Sequence, residues 1–125
     1  MKSLTGSEKQ IKWANDLRNG LIDYANKEHD KLMESAERAA SKGKADRAER
    51  YTRKASAQIS MLNWVLDRAT SAAWWIDNRE PYFGRNDMVD CPIRRWDMMV
   101  KFMDSDTPIE EALAVYTPDE FRGMN

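Results

Sequence analysis

A chain of 125 residues has room for one domain with one core. Its mean hydropathy is −0.79, and no apolar run approaches the roughly 18 residues that a membrane span needs. A single Cys and a single His exclude an internal disulfide and a Cys/His zinc site within one chain, and net charge −1 argues against a globally basic nucleic-acid binder.

Met1-Lys2-Ser3-Leu4 runs straight into polar sequence, so no secretory leader is expected and a cytoplasmic setting is. Ser7 followed by Gln10 is a capping box, with Glu8 in the first turn. Downstream, Ile11, Ala14, Leu17, Leu21, Ala25, Leu32 and Ala36 recur at three- to four-residue steps. This spacing predicts a long helix from Glu8 to Ala40. Gly20 costs about 1 kcal/mol relative to Ala in a helix interior, and a bend or break is expected there. Ser41-Lys42-Gly43-Lys44 reads as a turn. Ala45, Ala48, Ala55, Ile59, Leu62, Leu66 and Ala69 then mark a second helix.

The short connection predicts an antiparallel αα-hairpin with a projecting basic tip. Ala72 to Ile76 either continues the second helix or forms a third. Residues 80–90, with Pro81, Gly84 and Asn86, read as an irregular loop. Asp90 is expected to cap a helix with Pro92 in its first turn. Thr107-Pro108-Ile109-Glu110 and Thr117-Pro118-Asp119-Glu120 predict two short terminal helices capped by Thr. No period-two alternation is present. The expected fold is all-α: one helical domain over 1–125, with a hairpin (7–79), a loop (80–90) and several short C-terminal helices (91–122) closing its base.

Charge is segregated along the chain. From Arg38 to Lys54 there are seven cations and two acids, a local excess of five. Arg47, Arg50 and Lys54 share a helix face, with Arg53 beside them, and such a stripe can track a phosphate backbone. The same residues also fit a solvated helix laced by Asp46–Arg50 and Glu49–Arg53 pairs. From Asp97 to Asn125 there are seven acids and two cations. Asp104, Asp106, Glu110 and Glu111 form the acidic end, fitted either to a basic partner surface or to helix starts.

Aromatic residues supply a third candidate surface. Tyr82, Phe83 and Arg85 form an aromatic and basic loop that either contacts a partner or plugs the hairpin base. Trp74 and Trp75 are about 100° apart on a helix, so one is expected inside and one near the surface. The Met98, Met99 and Met103 cluster reads as core filling. His29 between Glu28 and Asp30 implies no dyad, and Cys91 is placed for a lowered pKa at a helix start. No metal site, no cofactor and no catalytic set is read from these residues.

Two segments resemble a known group. Leu4-Thr5-Gly6-Ser7-Glu8-Lys9-Gln10-Ile11-Lys12-Trp13-Ala14-Asn15-Asp16-Leu17-Arg18 and Ala72-Ala73-Trp74-Trp75-Ile76-Asp77-Asn78-Arg79 cover 23 of the 125 residues. They are similar to segments of uncharacterised bacterial, phage and mobile-element proteins. The resemblance implies a setting and no catalytic residue. Trp13, Trp75 and Arg79 are the structural anchors expected from it, with Arg79 paired to Glu8 or Asp77.

The function expected from these readings is a non-catalytic phage or mobile-element protein that occupies and inhibits a host macromolecule, in its sharpest form an anti-CRISPR-type inhibitor. The expected partner is a host or phage protein or a nucleoprotein complex, not a membrane. The alternatives are a nucleic-acid-binding accessory protein using the basic face, and a helical assembly protein that forms a homodimer.

Overall fold

Ser7 opens the first helix as its spacing predicts. Its side chain accepts from the Gln10 N–H at 3.2 Å, and Gln10 Oε1 accepts from the Ser7 N–H at 3.0 Å. The computed structural model describes residues 2–85 and 89–125. Within them lie α1 (Glu8–Ser41), α2 (Ala45–Arg68), α3 (Ala72–Asp77), α4 (Trp96–Met103) and α5 (Ile109–Val115), followed by a 3-10 turn at Asp119–Phe121. The fold is all-α. Among the described residues there is no strand, only isolated bridges at Thr5–Ser71 and Arg79–Ile93. None of the described helices is long and apolar enough to cross a membrane.

α1 and α2 pack antiparallel as a hairpin. At 1.5 Å per residue the arms are about 51 and about 36 Å long. α1 runs unbroken through Gly20, so the break expected there does not occur. The glycine serves close approach instead: a Cβ at Gly20 would lie 3.1 Å from Phe83 Cζ and 3.4 Å from Pro92 Cγ. The 80–85 segment thus folds against α1 where α1 has no side chain.

The core sits at the hairpin base. Leu17 and Leu21 of α1 meet Met61, Leu62 and Val65 of α2, and α3, α4 and the C-terminal segment close over them. Trp74 and Trp75 are both buried, so the expectation of one outward Trp fails. Their rings meet edge to face at 5.1 Å. Trp75 Nε1 donates to the Ala69 carbonyl at 3.0 Å, and Trp74 Nε1 to the Glu120 carbonyl at 2.9 Å. The C-terminal segment covers Trp74, with Phe121 and Met124 buried and the Ser71 N–H bound to the Met124 carbonyl. Arg18 is also buried, its guanidinium donating to the Lys2 carbonyl and to Asn15 Oδ1, each at 2.7 Å. The bond to Lys2 holds the N-terminal segment on α1.

The helix expected from Pro92 starts instead at Trp96. Residues 92–94 are drawn alongside 78–80: the Glu80 N–H binds the Pro92 carbonyl, and the Arg94 N–H binds the Asn78 carbonyl. Arg95, at φ 62°, turns the chain into α4, and its guanidinium holds Glu120 at 2.9 Å. The later starts are present without the expected Thr caps. Pro108 and Pro118 occupy the cap positions, and neither makes a side-chain cap bond. Thr107 N–H goes to Ser105 Oγ, and Thr117 Oγ1 donates back to the Leu113 carbonyl. Of the methionines, Met99 is core, Met103 is half-buried and Met98 is exposed. The turn residue Asn86 lies outside the described residues.

Candidate functional site

The hairpin tip is built by one turn between two helices in phase. Gly43 adopts φ 72°, and the Gly43 and Lys44 N–H groups cap the last carbonyls of α1 at Ala40 and Ala39. Ser35, Arg38, Ala39 and Lys42 fall at i, i+3, i+4 and i+7 on α1. Across the turn, Lys44, Arg47 and Tyr51 fall at i, i+3 and i+7. Together they line a recess of about 150 Å3 between the helix ends. A shallower groove on the outer side runs from Gly43 through Asp46 to Arg50, and Lys44 and Arg47 line both.

Among the described residues, no carboxylate oxygen lies within 4.0 Å of Arg38, Lys42, Lys44, Arg47, Arg50 or Lys54. Arg38 Nη2 donates to Ser35 Oγ at 3.2 Å. The alternative of a laced helix is not realised, because neither Asp46–Arg50 nor Glu49–Arg53 forms. Arg53 leaves the stripe and reaches the loop after α4. Its Nη2 donates to the Asp104 carbonyl at 2.8 Å and to Asp106 Oδ1 at 3.0 Å, and its Nε stands 3.4 Å from Asp104 Oδ1.

The acidic end is engaged in place. Asp104 and Asp106 face Arg53, and Glu110 binds Arg68 at 2.8 Å, while Glu111 has no such partner among the described residues. Arg68 also lies over the Trp64 ring at 4.5 Å. Three of the four acids are thus partly neutralised by cations of α2.

The structure divides the aromatic loop. Tyr82 and Arg85 are exposed, whereas Phe83 is half-buried against Gly20 and the core. The anchors divide as well. Trp75 is fully buried, but Trp13 is 45% exposed with the Arg79 guanidinium 4.8 Å from its ring centre. Arg79 pairs with neither Glu8 nor Asp77; its Nη1 donates to the Ile76 carbonyl.

His29 and Cys91, the groups considered for catalysis, make no hydrogen bond to each other. His29 Nδ1 lies 3.1 Å from Asp30 Oδ1, a contact the helix spacing did not predict. The Cys91 thiol faces the Ile93 carbonyl at 3.4 Å, and burial pushes its pKa up to about 12, helped by the charges of Asp97, Glu28 and Glu80. The expected lowering fails because α4 begins five residues later and presents no N-terminus to the sulfur. Among the described residues, no three His, Cys, Asp or Glu side chains are grouped to hold a metal ion.

Sequence reasoning missed Ser35, Arg38, Lys42, Lys44 and Tyr51 as one set. The signal was present as a matched helical phase on either side of Gly43. No family model, curated protein or solved structure matches the chain.

Proposed function

We propose that the protein is a non-catalytic binding protein that docks on nucleic acid through its hairpin tip, in the phage or mobile-element setting the resemblance implies. Occupation of a host nucleic acid or nucleoprotein is its mode of action, and an inhibitor of a nucleic-acid-guided defence is the sharpest form. One observation carries the reading: among the described residues Arg47, Arg50 and Lys54 have no carboxylate partner within 4.0 Å, while most of the acidic end is ion-paired in place. Cations left free on one projecting end neutralise phosphates and release counter-ions. Net charge −1 does not oppose this, because screening over about 8–10 Å lets the tip act by its local charge.

The test is binding to labelled single- and double-stranded DNA and RNA over a salt series, with molar mass by light scattering. The expected result is affinity that falls log-linearly with salt. Absence of binding at low salt from a folded protein overturns the reading. A second reading, occupation of a host protein, draws on the exposed Met98, Val115 and Tyr116 near α4 and α5. It predicts a partner complex of low salt sensitivity.

A further inference from the structure

We propose that the recess between the helix ends is a site for a terminal phosphate, the phosphomonoester of a strand end or of a free nucleotide. The inference rests on the tip reading above and assigns the ligand class. Arg38, Lys42, Lys44 and Arg47 line a space of about 150 Å3, whose walls include Ser35 and Tyr51. That volume accommodates one compact anion. Four cations facing one recess repel each other, and none has a carboxylate within 4.0 Å among the described residues. A multivalent anion relieves that repulsion more than a univalent one does.

Shape separates the two kinds of phosphate. A continuous phosphodiester backbone can follow the open outer groove past Arg47 and Arg50. The recess between the helix ends is the more enclosed of the two, which favours a chain end over a continuing backbone. A terminal phosphate has no onward chain, carries about −1.5 to −2 charge at neutral pH and offers three acceptor oxygens. Arginine and lysine donors around it match those acceptors. Arg38 and Lys42 line the recess alone, whereas Arg50 lines the outer groove alone. End recognition and backbone tracking are therefore separable by mutation.

The experiment compares one oligonucleotide carrying a 5′-phosphate, a 3′-phosphate or hydroxyl ends, with pyrophosphate as competitor. Wild type and Arg38→Ala/Lys42→Ala are measured together, after circular dichroism has shown equal helix content. The expected result is binding about tenfold tighter to a phosphorylated end, the factor one added charge-assisted hydrogen bond supplies. Pyrophosphate should abolish the preference, and the double variant should lack it while still binding the hydroxyl-ended strand.

Equal affinity for all three strands overturns the inference and leaves the tip reading intact. Pyrophosphate binding that depends on Arg38 and Lys42, without any strand binding, supports the recess with a free phosphate as its source and overturns the nucleic-acid reading. Binding of neither overturns both.

Discussion

The two halves of the hairpin are built differently. Around the base, Leu17, Leu21, Met61, Leu62 and Val65 pack under three buried tryptophans, Trp74, Trp75 and Trp96. Towards the tip the seam narrows to Ala36, Ala39 and Ala55, with Tyr51 half-buried beside them. An alanine buries little apolar surface, at about 0.8 kcal/mol per buried carbon, so the tip gains little from packing. Charges follow the same division. Arg53, Arg68 and Arg95 are each bound to a carboxylate of the C-terminal region, whereas among the described residues no carboxylate lies within 4.0 Å of the tip cations. The base supplies stability and the tip supplies charge.

The largest effect expected from this division is on stability. Trp75→Ala removes a fully buried ring and its bond to Ala69, and should cost about 3–5 kcal/mol in denaturant melts. Arg47→Glu at the tip should change the same melts by less than about 0.5 kcal/mol. Comparable losses at both sites would abolish the distinction.

Gly20→Leu, which drives a side chain into Phe83 and Pro92, should cost about 1–3 kcal/mol despite its better helix propensity. A stabilised variant would show that the 80–85 segment does not pack on α1 as described. Arg53→Ala should cost about 1 kcal/mol or less, since Arg53 and Asp106 are largely exposed, and the loss should shrink in high salt.

The smallest effect at neutral pH is that of the buried Cys91 thiol, which enters only as pH rises. Cys91 ordinarily titrates near 9.0, and burial raises it to about 12. Tyr24 is also raised by burial and neighbouring acids. The folded state then holds protons that the unfolded state releases, so stability is full below about pH 9 and declines as pH rises towards 12. Alkylation of Cys91 at pH 8 should be slow in the folded protein and fast in denaturant. Fast labelling of the native protein would contradict the burial.

Local signals carried most of the architecture. The Ser7–Gln10 box, the apolar spacing of α1 and α2 and the turn at Gly43 are short-range instructions, and each is found where the spacing predicts it. Long-range contacts account for what spacing could not reveal. Gly20 is explained by Phe83, 63 positions away in the chain. Trp74 is buried by a C-terminal segment that its own helix does not foreshadow. The Asp90 start is displaced because 92–94 align with 78–80.

The site divides in the same way. The stripe of Arg47, Arg50 and Lys54 was legible as helical spacing. The departure of Arg53 to Asp104 and Asp106 was not, because the pairing spans 51 and 53 residues. The recess required both helix ends to be read in one phase across the turn.

Paired charge reversals test the division of labour most directly. Arg47→Glu/Arg50→Glu/Lys54→Glu at the tip should be compared with Arg85→Glu/Arg94→Glu/Lys101→Glu around the base, with nucleic-acid affinity read at several salt concentrations. The account predicts that the tip variant loses binding at every salt concentration, or keeps a salt slope smaller by about 1 for each phosphate contact removed. The base variant should retain the wild-type slope. Equal losses in the two variants, or wild-type binding by the tip variant, would contradict it.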